Sequence, residues 1–461
     1  MTDDLLMNRR QAMSAAAASV LAGTLASPAQ AASALPDVIF IMADDMGYAD
    51  LSCTGSHHIK TPNIDSIGRD GVFLRQGYAN SAVCSPTRTA LLTGRYQERF
   101  RIGLEEPIAV PDAKMGLPRD VPTIATAFRA VGYHTALVGK WHIGEPPANG
   151  PVSHGYDEFF GVVEGAADYF LHRSIKDGKP SGIGLAQGND PHTANGYLTD
   201  LFGDEAVKAI AAPRAKPLFL SLHFTAPHWP WEGREDSAVT GKLQDIRQTN
   251  GGSLAKYAEM VEIMDQNVGR VLAALKQAGR GDAIVVFTSD NGGERFSETW
   301  PFVGVKGELL EGGIRVPVLV KAPGRIAPGT TSDQVAISMD WLPTLVSLAT
   351  GKAPQGTFDG IDLSPQLTGK AAPVERTLFW RFKASEQAAV REGTWKYLSL
   401  GGKEHLFNLA QDERERADLK DDEPQRLADL KAKWAAWNAT VLPYPAESYS
   451  EPTRKFYADR Y

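Results

Sequence analysis

Asp37-Val38-Ile39-Phe40-Ile41-Met42-Ala43-Asp44-Asp45 decides the architecture. A continuous apolar, β-branched run of this length fits a strand buried on both faces, as in a parallel sheet. The two acids follow at once, where open α/β sheets place their ligand sites, at the carboxyl ends of strands. Adjacent acids in a loop are most often simply solvated. A second stretch of the same design raises them: Ala283-Ile284-Val285-Val286-Phe287-Thr288-Ser289 reads as another buried strand and ends in Asp290-Asn291-Gly292-Gly293. Together Asp44, Asp45, Asp290 and Asn291 offer three carboxylates and an amide oxygen, a hard-oxygen set suited to Ca²⁺ or Mg²⁺ and poor for zinc.

Between these strands helix and strand alternate, the order of an α/β fold with a parallel sheet. Residues 122–131 read as a helix opened by Pro122, 133–138 as a strand, 197–211 as a helix and 218–222 as a strand. The clearest helix is 254–278, whose apolar residues recur near helical spacing. Gly144 to Asn195 is a long Gly/Pro-rich stretch. Further on, 315–323 reads as a strand and 340–348 as a helix. From Arg376 the pattern turns to short β segments, 376–382, 388–390, 394–398 and 404–409, then a charged helix over 423–437. The predicted fold is α/β, a large, mostly parallel sheet sandwiched by helices, with a small C-terminal antiparallel sheet plus helix. The expected division is a leader over 1–31, a main α/β domain over 32–360, and an α+β subdomain and tail over 361–461. The Tyr444-to-Tyr461 tail reads either as an ordered cover of the site or as a mobile end.

The 461 residues carry a formal charge of −7, which gives no reason to expect nucleic acid or an anionic membrane as partner. Local positive charge must therefore come from placed residues. Asn8-Arg9-Arg10-Gln11 precedes an alanine-rich run from Ala12 to Ala26, and Ala29-Gln30-Ala31 offers a cleavage site. This reads as a bacterial twin-arginine export signal, with an ordinary Sec signal as the alternative, and puts the mature chain in the periplasm or outside the cell. The run is too short and too weakly apolar for a membrane span. With only Cys53 and Cys84, there is no disulfide framework, and a bridge between the two would consume Cys84.

Cys84 stands in Val83-Cys84-Ser85-Pro86-Thr87-Arg88-Thr89-Ala90-Leu91-Leu92-Thr93-Gly94-Arg95. Ser85 is a good N-cap and Pro86 fits the first helical position, so Cys84 is expected just before an amphipathic helix whose free N–H groups attract anions. Lys140 and His142 in Gly139-Lys140-Trp141-His142, His228 in Pro227-His228-Trp229-Pro230, and Lys306 in Val305-Lys306-Gly307 each follow a predicted strand or lie in a Gly/Pro loop. Such places carry sites on a rigid sheet. Taken singly, each has an ordinary reading as a packed or surface side chain.

Cys84-x-Pro86-x-Arg88 followed by Leu92-Thr93-Gly94 resembles the signature of the formylglycine-dependent sulfatases, of the alkaline-phosphatase-like superfamily. The Lys140, His228, Asp290 and Lys306 blocks, with Gly312-Gly313-Ile314-Arg315-Val316-Pro317, occur in the family's order between Asp37 and Pro317. The resemblance implies that a formylglycine-generating enzyme oxidises Cys84 to an aldehyde that, hydrated, is the nucleophile. It implies that Asp44, Asp45, Asp290 and Asn291 hold a divalent cation, Ca²⁺ first and Mg²⁺ second, along with an oxygen of residue 84. Arg88, Lys140 and Lys306 would surround the sulfate. His228 or Lys306 would protonate the leaving alcohol, and His142 would take the proton whose loss expels sulfate. A sulfate monoester repels nucleophiles, so a cation and converging Lys/Arg donors must neutralise it before attack. The expected substrate is a sulfated carbohydrate, with an aryl sulfate second. A phosphonate or phosphate ester hydrolase on the same scaffold, or a sulfate-ester binder with an unoxidised Cys84, is the alternative. Asp168, Tyr169, His172, Arg173, Trp229 and Trp231 are the loop residues expected to meet a sugar.

Overall fold

Val38–Ala43 sits at the centre of the sheet because its side chains are apolar on both faces. It pairs in parallel with Leu218–His223 on one side and Ile284–Ser289 on the other. Alternate strand residues point to opposite faces. Val38, Phe40 and Met42 thus enter one core with Leu91, Phe128 and Trp341, while Ile39, Ile41 and Ala43 enter another with Ile64, Phe202 and Val261. The first core lies under the helices Cys84–Thr93, Ile124–Ala130 and Trp341–Thr350. Pro62–Arg69, Leu198–Ala211 and Leu254–Gln277 cover the second.

The computed structural model describes residues 35–109, 115–247 and 251–452, so the expected export signal lies outside the described residues. From Pro36 onward the chain is one compact unit. Its main sheet has ten strands, ordered Thr330–Ser332, Val72–Leu74, Val318–Lys321, Ile284–Ser289, Val38–Ala43, Leu218–His223, His134–Gly139, Glu158–Val162, Leu185–Gln187 and Asp190–Pro191. The five strands from Ile284–Ser289 to Glu158–Val162 run parallel, and the flanking strands that join them are antiparallel. Among the described residues, no helix is long and apolar enough to cross a membrane.

Register aligns the ends of the central strands. Ala43 lies opposite Ser289, Met42 opposite His223, and His223 opposite Gly139. The loops that begin with Asp44, Asp290, Lys140 and Phe224 therefore leave the sheet along one edge. Gly139 is needed there: a Cβ would stand 1.8 Å from the His223 carbonyl oxygen, and its φ is +115°.

Thr377–Phe382, Gln387–Glu392, Trp395–Leu400 and Lys403–Asn408 form the small antiparallel sheet, and Pro424–Asn438 is its helix. Trp380, Phe382, Ala389 and Leu398 pack with Val83, Ala90, Tyr96 and Ile314. The Cys84–Thr93 helix thus gives Leu91 and Leu92 to the main core and Ala90 to this one.

That double packing buries all ten of its residues, which corrects the expected amphipathic helix. The helix also begins at Cys84, with Val83 as N-cap, because the Ser85 hydroxyl is engaged elsewhere, accepting from the Ile108 N–H at 2.9 Å. The helix expected from Pro122 starts at Ile124, where Thr123 caps it by accepting from the Thr126 N–H. Glu158–Val162, a strand of the main sheet, was hidden in the Gly/Pro-rich stretch.

Candidate active site

Oxygens of Asp44 and Asp290 and the sulfur of Cys84 all lie within 4.8 Å of one another at the shared strand edge. The Asp45 N–H donates to Asp290 Oδ1 at 3.2 Å, and Asn291 Nδ2 donates to Asp45 Oδ1 at 2.8 Å. Asp45 has φ +63°, a left-handed conformation that Asp tolerates better than most side chains, and two successive acids thereby serve one cluster. Asp44 Oδ1 and Asn291 Oδ1 are buried without a hydrogen-bond partner among the described residues. Orphaned acceptors of this kind are costly and uncommon. An all-oxygen, mostly anionic set with orphaned acceptors fits a divalent cation such as Ca²⁺ or Mg²⁺.

Three cations enclose the acids. Lys140 Nζ donates to Asp44 Oδ2 at 2.6 Å, Arg88 Nη2 to Asp290 Oδ2 at 2.8 Å, and Lys306 Nζ to Asp45 Oδ2 at 2.6 Å. Arg88 also donates from Nη1 to the Lys140 carbonyl at 3.0 Å, which couples the helix to the neighbouring loop. Burial alone would lower the Lys306 ammonium, but Asp45 and Glu294 hold it well above the usual lysine value. Burial works on Asp45 in the opposite sense, and Lys306, His228 and Lys140 win, keeping its carboxylate ionised. Burial pushes the Cys84 thiol up to about 11 against the pull of Lys140 and Lys306. A thiol of that acidity is a poor nucleophile at neutral pH.

His142 and His228 are both buried, and burial is the main reason each is held well below the usual histidine value. His142 Nε2 lies 3.0 Å from the Ile108 carbonyl oxygen, so Nε2 carries the proton and Nδ1 the lone pair. Nδ1 has no hydrogen-bond partner among the described residues. A Cβ on Gly165 would strike the His142 ring at 2.5 Å, so glycine lets the ring sit there. His228 donates from Nδ1 to the Trp229 carbonyl at 2.7 Å and faces Asp45 Oδ2 across 3.5 Å with Nε2. His223, also buried, gives its carbonyl to the Lys140 N–H at 2.8 Å.

Cys84, His142, His228 and Lys306 share the wall of a cleft of about 560 Å³. Of the residues expected to meet a sugar, Trp229 lines it. The rest do not, for structural reasons. Tyr169 is buried and donates its hydroxyl to the His228 carbonyl at 2.9 Å, so it positions that histidine. Asp168 accepts from the Phe170 and Arg173 N–H groups, each at 3.1 Å, and shapes its own loop. His172 is tied to the Gly196 carbonyl, Trp231 packs edge-on against Phe296, and Arg173 is exposed to solvent. Cys53 and Cys84 are both free thiols.

Supports not foreseen from the sequence surround this set. Asp50, fully buried, accepts from the Gly47 and Glu298 N–H groups, the Ser297 hydroxyl and the Tyr257 hydroxyl at 2.6–2.8 Å, bracing the loop after Asp45. Gln387 of the small sheet accepts from the Leu309 N–H and donates to the Gly307 carbonyl, each at 2.8 Å, and so holds the Lys306 loop. Neither residue belongs to a motif. Only the partner segments, distant in the chain, reveal them.

The family model described as Sulfatase matches residues 36–352. Mouse arylsulfatase J is 30% identical, with 89% of this chain and 77% of that protein covered. Mouse N-acetylgalactosamine-6-sulfatase is 32% identical over 78% of this chain and 71% of its own. Among solved structures, Ps i-CgsB in complex with k-i-k-neocarrahexaose superposes with a TM-score of 0.78 at 28% identity, covering 91% of this chain and 95% of that one. The motif order, the fold and these matches agree, and the chain belongs to the sulfatase family, the enzymes that hydrolyse sulfuric esters.

Proposed function

We propose that the chain cleaves the sulfate monoester of a saccharide, using an aldehyde made from Cys84 and a divalent cation, Ca²⁺ or Mg²⁺, held by Asp44, Asp45, Asp290 and Asn291. The setting of Cys84 carries the reading. It begins a buried helix inside a ring of acids and cations, yet burial leaves its thiol too weakly acidic to attack. An aldehyde at this position would not depend on ionising that thiol.

The cation would supply Lewis acidity against the anionic ester, and an aldehyde at residue 84, once hydrated, would supply two hydroxyls, one as nucleophile and one as a proton source for sulfate release. Arg88 and Lys140 lock Asp290 and Asp44 in place and add positive charge beside residue 84. Lys306 and His228 approach from the cleft side, and the leaving alcohol takes its proton from one of them. His142, its tautomer set by the Ile108 carbonyl, offers Nδ1 as the base in the cleft it shares with residue 84. The nucleophile, metal ligands and proton-transfer residues are assigned to the 32–360 domain, and the C-terminal part expected over 361–461 adds Tyr449 and Glu451 to the cleft. Arg9-Arg10 is assigned to export toward the periplasm by the twin-arginine route, with a formylglycine-generating enzyme as maturation partner. The oligosaccharide-bound relative supports a saccharide over a small aryl ester.

The deciding experiment joins mass spectrometry of residue 84 to rates on sulfated saccharides, aryl sulfates, and phosphate and phosphonate esters. Active protein should carry the aldehyde, and Cys84→Ala should be folded and inactive. An active preparation with an intact thiol contradicts the nucleophile. Faster turnover of a phosphonate than of any sulfate contradicts the substrate class.

A further inference from the structure

The last described residues run along the mouth of the cleft. The Glu106 N–H donates to the Tyr449 carbonyl at 3.0 Å and the Glu451 N–H to the Glu106 carbonyl at 2.6 Å, so Ser450 bridges Glu106 as a short parallel strand would. Side chains fasten this strap further. The Tyr449 N–H donates to Glu105 Oε2 at 3.0 Å, the Ser450 hydroxyl to Glu106 Oε2 at 2.8 Å, and Lys383 Nζ to the Ser448 hydroxyl at 2.9 Å. Downstream of Glu105 and Glu106, Pro107 and Ile108 line the cleft. Ile108 itself donates to Ser85 beside Cys84 and accepts from His142. The strap is thus tied through one segment to the reacting end of the cleft.

Tyr449 and Glu451 share the cleft wall with Lys306 and His228. Tyr449 keeps 40% of its surface exposed, and Glu451 lies near enough to Lys306 for its charge to help hold that ammonium. An amphipathic ring covers the C–H face of a sugar, and a carboxylate accepts strong hydrogen bonds from hydroxyls. The same carboxylate repels a second anion.

We propose that the Ser448–Glu451 strap selects the leaving group, Tyr449 packing on a sugar ring and Glu451 accepting from its hydroxyls while excluding a second anionic substituent beside the scissile ester. This rests on the sulfate-ester reading above. Enzyme with residue 84 converted, in wild-type, Tyr449→Ala, Glu451→Gln and Glu451→Lys forms, is compared on galactose and glucose monosulfates, their disulfates and 4-nitrophenyl sulfate. Tyr449→Ala and Glu451→Gln should each lose about 10-fold or more in kcat/KM on the preferred monosulfate, mostly through KM, and less than about twofold on the nitrophenyl ester. Glu451→Lys should shift preference toward the disulfate. Equal losses on both ester types, unchanged sugar kinetics, or cleavage of the nitrophenyl ester alone would overturn the strap's role and leave the sulfatase reading standing. A converted wild-type enzyme that cleaves none of the esters overturns both.

Discussion

Lys140 Nζ lies 2.6 Å from Asp44 Oδ2, and both side chains are shut off from solvent. Removing one partner of such a pair strands the other charge, at a cost of about 3–5 kcal/mol. Lys140→Ala should therefore destabilise the fold by that order, while Lys140→Ala with Asp44→Asn should recover much of the loss. Denaturant unfolding of the four proteins in the cycle measures this, and simple additivity would show that the two residues are not coupled.

The acids predict the response to metal removal. Burial pushes the Asp44 carboxyl up, Lys140 opposes it, and the nearby Asp290 pushes it up further, so a cation beside Asp44 would favour its ionised form. A cation bound there stabilises the native state in proportion to the logarithm of its concentration. Chelation should lower Tm, and Ca²⁺ or Mg²⁺ should restore it. Asp290→Ala should abolish the calorimetric binding signal and turnover together. Full activity in a verified metal-free sample would contradict the four-oxygen site.

Much of this arrangement was legible in the chain because the strands are plain. Val38–Ala43 and Ile284–Ser289 are apolar on both faces, and each is followed directly by its acids. Parallel pairing in register then brings Asp44 and Asp290 together without further signal. Lys140, His142, His228 and Lys306 were found only because motif order tied four loops to one edge. The edge residues that misled share one cause. Asp168, Tyr169, His172 and Trp231 are polar or aromatic residues in loops, and such side chains look like ligand contacts until their partners, three backbone groups and the Phe296 ring, are known. Asp50 and Gln387 were invisible for the converse reason. Each braces a segment more than seventy residues away in the chain, as with the Asp50 contact to Ser297 and the Gln387 contact to Leu309.

Stability should fall as pH rises across the neutral range through two buried acids, Glu98 and Glu106. Glu98 is buried, and burial pushes it from 4.5 up to about 8; burial likewise lifts Glu106 to about 7. Between the unfolded and folded values the native state holds a proton that the unfolded chain has released. Each group's contribution is then full below about pH 4.5 and is lost as pH climbs through its folded value, at most about 1.4 kcal/mol per pH unit. Glu98→Gln, which cannot ionise, should show a flatter decline than wild type between pH 5 and 8 in equilibrium unfolding. Parallel curves would mean that Glu98 titrates alike in both states.

Leaving-group dependence assigns the acid. Lys306 is held protonated by Asp45 and Glu294, whereas burial keeps His228 neutral, with its Nδ1 proton committed to the Trp229 carbonyl. Lys306 is therefore the group with a proton to give. A sugar alcohol needs that proton as the S–O bond breaks, and a nitrophenol leaves readily as its anion. A positioned acid is worth about 10²–10⁴-fold, and only where the leaving group needs it. Lys306→Ala should accordingly lose far more kcat/KM on a saccharide sulfate than on 4-nitrophenyl sulfate, and His228→Ala should lose similarly on both, provided ester cleavage limits the rate. The opposite pattern would assign the acid to His228, charged through Asp45 once substrate is bound, and would leave Lys306 to hold the sulfate.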